Sequence, residues 1–318
     1  IFITNSIGFG GAEKMLTFVA NSLSERGHIC AIVNLGAVPE YVNVYKQNID
    51  EHIDVFNVKD KVQQKKRKAE IKAVAQYAKE FHADVLIGFT NFPNMYATLV
   101  GKTLKIPSII SERGDPAITL PNTFKDRILK LIIDSASGGV FQTNGAKDYY
   151  GKRLQKRGSV IPNPIFIKGT VPNVPYEEHE KTVVSVGRID NKQKRLDVML
   201  QAFSIFSKKH PEYTLKIYGS GDDENLVRQW CADLNIQDQV KFMGVTRTPM
   251  QDISDAGMFL ITSDYEGISN SLLEAMAVGL PCVSTNHTPG GARLLIADHE
   301  NGLLAPMGDV DALAGAMC

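Results

Sequence analysis

"GMFLITSDYEGISNSLLEAMAVGLPCVST", residues 257–285, holds a strand, a loop, a helix and a second strand in one short run. GMFLITS is an unbroken apolar run ending on polar residues, the pattern of a strand covered on both faces. Ser269, Asn270 and Ser271 are good helix N-caps, and Leu272, Leu273, Ala275 and Met276 continue the helix until Gly279 and Pro281 break it. PCVST then resumes the strand pattern. Two glutamates stand in this unit: Glu266 in the loop leaving the strand, and Glu274 one turn inside the helix. Loops at the carboxyl ends of parallel strands are where doubly wound folds bind ligands. A carboxylate accepts hydrogen bonds from paired hydroxyls, so each glutamate suits a vicinal diol, one on a sugar and one on a ribose. The helix N-terminus between them suits phosphate. Stripped of their flanks, the same residues read as a loop charge and an ordinary helix glutamate.

The same rhythm runs in both directions. CAIVNL (30–35), ADVLIGF (83–89), PSIIS (107–111), GGVFQT (138–143) and SVIPN (159–163) form one series of short strands separated by amphipathic stretches. TVVSVG (182–187), YTLKIYG (213–219), VKFMG (240–244), GMFLITS and PCVST (281–285) form a second. Two series of βαβ units predict an α/β protein of two doubly wound, Rossmann-like parallel-sheet domains. The proline-rich stretch PNPIFIKGTVPNVPYEEHE (162–180) reads as the join. The expected division is 1–165, a linker over 166–180, and 181–318.

With 318 residues, 43% apolar and 22% charged, the composition is that of a globular protein with more than one core. No run approaches the ~20 apolar residues of a membrane-spanning helix. Cys30, Cys231, Cys282 and Cys318 form no CxxC pair, which suggests a reducing compartment and cysteines buried as small hydrophobes. The chain opens inside a strand-like run, IFIT, and closes inside a helical one, GDVDALAGAMC, so trimming at both ends is expected. Net charge is zero, but residues 1–165 hold 22 Lys and Arg against 15 Asp and Glu, and the remainder holds 13 against 20. A basic first half suits an anionic partner, although such asymmetry also arises from solubility alone. The helix predicted over Lys59–Lys79 is basic, with Val62, Ala69, Ala73, Val74 and Tyr77 as an apolar stripe; it suits either a solvated surface or an anionic membrane.

Each half opens with a strand and a glycine turn. Gly8, Gly10 and Gly11 precede a helix from about Ala12, a place where a phosphate can approach the backbone. A dinucleotide fingerprint would need glycine where Glu13 stands, which weakens an NAD reading; the glycines also read as a plain tight turn. In the second half Arg188 follows Gly187 at a strand end, and Lys194 comes six residues later. Two cations at that edge suit a diphosphate, the guanidinium as a fork and the ammonium as a point charge.

Glu266–x7–Glu274 within SDYEGISNSLLEAMAVGLPCVST resembles the signature of retaining glycosyltransferases of family 4, which have the GT-B fold, two such domains facing a cleft. Arg188 and Lys194, GGAEK (10–14), PNP (162–164) and YGSGDD (218–223) fall in the order that family shows. The resemblance implies a nucleotide-sugar donor, UDP-linked in preference to GDP-linked, held mainly by the second domain. It implies Glu274 on the ribose, Glu266 on the transferred sugar, and Arg188 and Lys194 on the diphosphate. Backbone N–H groups of Gly267, Ile268 and Ser269 would assist, Val245–Arg247 would flank the base, and the Gly10–Gly11 turn would close from the first domain. It implies no metal and no other cofactor; Asp309–Val310–Asp311 reads as a helix cap. Retention is expected by front-face attack, the leaving phosphate taking the acceptor's proton. Many members carry a histidine after the strand that reads PSIISERGDP here. Glu112–Arg113 in its place resembles enzymes of bacterial surface polysaccharide and lipid-linked glycan synthesis. Arg113 would then contact the donor, or pair with Asp115 or Glu112. The expected acceptor is a glycan or a polyprenyl-diphosphate-linked one, met in the cytoplasm or at the inner membrane face by the basic first domain, with no role for nucleic acid. A sugar-nucleotide epimerase of the same fold and a non-catalytic nucleotide-sugar binder are the alternatives.

Overall fold

The computed structural model describes residues 1–318 apart from 9, 37–47, 63–66, 166, 168 and 169. The chain divides into two compact units, Ile1–Pro162 and Asn163–Cys318. In the first unit β1 (Phe2–Thr4), β2 (Ala31–Asn34), β3 (Asp54–Asn57), β4 (Leu86–Phe89), β5 (Ser108–Glu112), β6 (Gly138–Phe141) and β7 (Gly158–Val160) pair in parallel in the order 3-2-1-4-5-6-7. In the second, β8 (Glu180–Val186), β9 (Thr214–Tyr218), β10 (Val240–Gly244), β11 (Ala256–Ile261), β12 (Cys282–Thr285) and β13 (Leu303–Ala305) pair in parallel in the order 10-9-8-11-12-13. Both orders reverse at one place, between β1 and β4 and between β8 and β11. At such a switch point neighbouring loops diverge to opposite faces and leave a crevice at the carboxyl edge.

The strands are apolar because helices cover both faces. β11 is buried at every position but one, and one core lies on each face of its sheet. One is built on Phe203, Phe206, Leu215 and Leu313, the other on Phe259, Leu272 and Ile296. The first unit's core gathers Ile3, Val33, Val74, Tyr96, Ile110 and Ile133. The join differs from the expected bounds: after Pro162 the chain already belongs to the second unit. Asn163 donates to Asn270 Oδ1 at 2.8 Å, and Ile165 and Val171 pack on the second unit's core.

Among the described residues the basic stretch holds the helices Val58–Lys61 and Arg67–Glu80; residues 63–66 of the predicted helix lie outside the described residues. Of its expected apolar stripe Val74 is buried and Val62 and Tyr77 pack against the first unit's core, while Ala69 and Ala73 are half-buried. Three cysteines are buried, and desolvation pushes the Cys282 thiol up to about 12. Cys318 departs from that expectation, lying exposed beyond the Val310–Met317 helix. Asp309 caps that helix through Ala312 N–H, at 2.9 Å. No helix among the described residues is long and apolar enough to cross a membrane.

Candidate functional site: a charged crevice at the β8–β11 switch point

Arg188 and Glu266 lie on the two loops that diverge at the second sheet's switch point. The loop after β8 is shaped by glycines of the neighbouring YGSGDD segment. A side chain on Gly219, whose φ is +144°, would collide with the Gly187 carbonyl, and one on Gly221 would collide with that of Ile189. That close approach permits the bonds Gly187 N–H to Tyr218 O (2.9 Å) and Ile189 N–H to Ser220 O (3.0 Å), which fix the backbone on both sides of Arg188. Asp223 accepts from Asn191 N–H at 2.7 Å and starts the short helix Asn191–Lys194. The Arg188 guanidinium stays largely in solvent, donating to Gln193 Oε1 at 3.1 Å.

Lys194 runs back over Gly187, where a Cβ would stand 3.1 Å from Lys194 Cε. Its ammonium donates to Glu266 Oε1, and both side chains are mostly buried. Ser263 Oγ donates to the same carboxylate oxygen at 3.1 Å. Burial disfavours the Glu266 charge, but the attraction and hydrogen bond of Lys194, with Ser263, hold the carboxyl below the usual range. Sequence reasoning assigned these two groups to different parts of a ligand; the structure brings them together.

Four residues that the sequence reading did not single out set this pairing. Arg195 has left-handed backbone (φ 50°) and forks between Asp197 and Asp264, each at 3.0 Å. Gln193 accepts from Asp264 N–H with its carbonyl and donates to Tyr265 O with its side chain, both at 3.0 Å. Thr262 Oγ1 donates to Lys194 O at 2.8 Å. Glu266 N–H donates to Thr288 O at 2.8 Å, which ties its loop to the one after β12. The signal in sequence was only the run QKR (193–195) opposite TSDYE (262–266), and its pairing needed the fold.

Ser269 stands at the N-cap of the Asn270–Ala277 helix, but its hydroxyl pairs with that of Ser271 (3.0 Å) instead of capping. Gly267, Ile268 and Ser269 are buried at this entry, and Gly291 packs so closely on the Gly267 carbonyl that a Cβ would collide with it. Glu274 is half-buried one turn in. Val245 and Arg247 are exposed just past β10 on the same edge, and Gly244 O accepts from Gly219 N–H at 2.7 Å.

Gly10, Gly11 and Arg113 lie in the first unit, at the carboxyl edge of its own sheet. Gly10 precedes the Gly11–Glu25 helix, and Glu13 folds back over the turn, accepting from Ser6 Oγ at 2.7 Å. Its carboxylate occupies the positive helix end, so a phosphate arriving there must displace it. Arg113 follows β5, with its guanidinium 5.6 Å from the centre of the Phe89 ring. Burial lowers its pKa to about 10, which leaves it charged at neutral pH. Glu112 beside it is buried, accepting from Tyr150 Oη (2.5 Å) and from Arg113 N–H (3.1 Å); burial raises its pKa. Asp115 caps the helix Pro116–Thr119 by accepting from Ala117 N–H at 2.9 Å.

Residues 171–317, nearly all of the unit that holds the charged crevice, match the family described as glycosyl transferases group 1. The second unit belongs to that family, and the chain is a glycosyltransferase. An uncharacterized glycosyltransferase of Haemophilus influenzae is 25% identical over 98% of this chain and 87% of its own length. The alpha-1,4-N-acetyl-D-galactosaminyltransferase of Campylobacter jejuni that acts on a diNAcBac-PP-undecaprenol-linked glycan is 25% identical over 98% and 86%. Among solved structures, HepE of Anabaena in complex with UDP and glucose matches with a TM-score of 0.79 and 18% identity, covering 99% of this chain and 87% of that one. The two parallel-sheet units give this glycosyltransferase the GT-B architecture.

Proposed function

We propose that the enzyme is a retaining, metal-independent glycosyltransferase of family 4 that moves a sugar from a UDP-sugar to a polyprenyl-diphosphate-linked glycan during cell-surface polysaccharide synthesis. The observation that carries this is the Lys194–Glu266 pair beside Arg188 at the β8–β11 switch point, with Glu274 one turn into the following helix. Arg188, exposed and fork-shaped, takes the diphosphate first. Lys194 then exchanges Glu266 for a phosphate oxygen, and Glu266 accepts from hydroxyls of the transferred sugar. Glu274 accepts from the ribose, and backbone N–H groups of Gly267, Ile268 and Ser269 complete the phosphate grip. Val245 and Arg247 flank the base, and Arg113 and the Gly10–Gly11 turn serve from the first unit.

Charge builds on the leaving diphosphate as the glycosidic bond breaks, and two fixed cations stabilise it most in the transition state. That supplies the role a divalent ion has in other transferases. Glu266, held by Ser263 and by hydroxyls of the transferred sugar, is a poor nucleophile, which favours front-face attack with the leaving phosphate taking the acceptor's proton. UDP in the HepE complex and the undecaprenol-linked acceptor of the C. jejuni relative support the donor and acceptor classes.

The first unit has a surface suited to a lipid-borne acceptor. In the Phe124–Asp134 helix Leu129 and Ile133 are buried, whereas Phe124 (78%), Ile128 (45%) and Leu131 (69%) stay exposed at i, i+4 and i+7. Exposed Lys125 and Arg127 flank this stripe. Such a face favours peripheral contact with the anionic cytoplasmic leaflet.

Radiolabelled UDP-glucose, UDP-galactose, UDP-N-acetylglucosamine and GDP-mannose, each offered with a polyprenyl-diphosphate glycan and EDTA, test the reading. Transfer of one UDP-sugar with its anomeric configuration kept is expected. An inverted product, or activity restored only by a divalent cation, contradicts it. Epimer formation or binding without turnover would instead indicate an epimerase or a binding protein.

A further inference from the structure

His287, just past β12, is fully buried, and its ring nitrogens make no well-formed hydrogen bond among the described residues, with only the Thr288 backbone placed to meet one of them. Its neighbour Thr288 is stitched to the glutamate loop, accepting from Glu266 N–H at 2.8 Å and donating from its own N–H to Asp264 O at 3.1 Å. On its other side the ring fills the space under the Gly290–Gly291 turn: a Cβ on Gly291 would stand 3.3 Å from His287 Cε1. The charged groups near enough to act on the ring are Glu266 from the β11 loop, Lys194 from the Asn191–Lys194 helix and Arg293 from the Ala292–Leu295 helix. A space-filling role would be met at less cost by a hydrophobe, because poorly met polar atoms are expensive to bury.

We propose that His287 is a positioning residue for Glu266: its uncharged ring floors the Glu266–Lys194 pair, and a proton added to it draws the carboxylate away from the donor's hydroxyls. The proposal rests on the reading that Glu266 holds the transferred sugar. Burial pulls the ring's pKa below the ordinary histidine value, and Lys194 and Arg293 act in the same direction. Glu266 and the Thr288 backbone oppose them without restoring it. The ring is therefore neutral at pH 7, and a group depressed in this way loses its native-state advantage as the pH falls. Donor affinity should be complete at neutral pH and decline on the acid side.

The test is UDP-glucose affinity between pH 5.5 and 8 for the parent, His287→Phe and His287→Gln. The parent should weaken as pH falls, approaching about tenfold per unit once below the ring's pKa. Each variant should lose less than about a third as much, because neither can take the proton. Equal acid losses in parent and variants overturn the proposal. A second readout needs no ligand: the urea midpoint of the second unit, followed by Trp230 fluorescence. The unfolded chain protonates His287 near its ordinary pKa while the folded one resists, so parent stability should fall more steeply from pH 7 to 5.5 than that of His287→Gln. In a Glu266→Gln background this difference in slope should change, since the carboxylate is the ring's charged neighbour. Equal slopes, or a difference untouched by Glu266→Gln, contradict the coupling. Failure of the parent to bind UDP-glucose at any pH overturns the donor assignment instead, and the urea slopes then decide on His287.

Discussion

Lys194 and Glu266 set opposite charges against each other in a mostly buried position, and the cost of such a pair is felt when one partner is removed. Lys194→Met should destabilise the second unit by about 3 kcal/mol, because Glu266 is left charged without its main partner. Glu266→Gln on top of it should restore at least half of that loss. Urea unfolding followed at Trp230 is the check, and a double variant no more stable than Lys194→Met would show that the pair does not set the energetics. Glu266, Glu274, Arg188 and Lys194 stood out because charged residues at strand ends and helix starts have few structural duties. Arg195, Gln193 and His287 did not, because an arginine, a glutamine and a histidine in a loop mean nothing until the fold names their neighbours. The Lys194–Glu266 contact spans seventy-two positions, and no local pattern encodes it.

Among the elements, strands read as apolar runs were found, and those missed had too little pattern to detect. β3 is DVFN, exposed or half-buried throughout, and β13 is three residues, LLA. The apolar stripe of the Lys59–Lys79 stretch was legible, but its partner was not: period alone does not distinguish a face that packs on its own core from one that meets a membrane. The opposite case is the Phe124–Asp134 helix, whose two apolar faces only the structure separates into inner and outer. Glycines show the same limit, since the spacing in YGSGDD says nothing of the carbonyls it must clear. Gly219→Ala should therefore push the Gly187–Ile189 segment aside and lower UDP affinity about tenfold, or ~1.4 kcal/mol, with little effect on the first unit. Unchanged affinity in calorimetry would mean that this close approach does not position Arg188.

Across the molecule, two units of the same doubly wound design carry different charge, basic in the first half and acidic in the second. The division suits the roles proposed above, an anionic, lipid-borne acceptor for the first unit and a nucleotide gripped by a few local cations for the second. Leu131→Glu should reduce sedimentation with phosphatidylglycerol vesicles severalfold while changing stability by less than about 0.5 kcal/mol, since the side chain is already in solvent. Vesicle binding equal to the parent's would remove that helix face from the membrane reading. Whether Glu266 and Glu274 bracket a nucleotide-sugar is decided by calorimetric binding of UDP, GDP, ADP and NAD to the parent and to Glu274→Ala. UDP should bind best and weaken by about 1–3 kcal/mol in the variant, as ribose hydrogen bonds go unmade. NAD binding alone, or UDP affinity indifferent to Glu274, would contradict it.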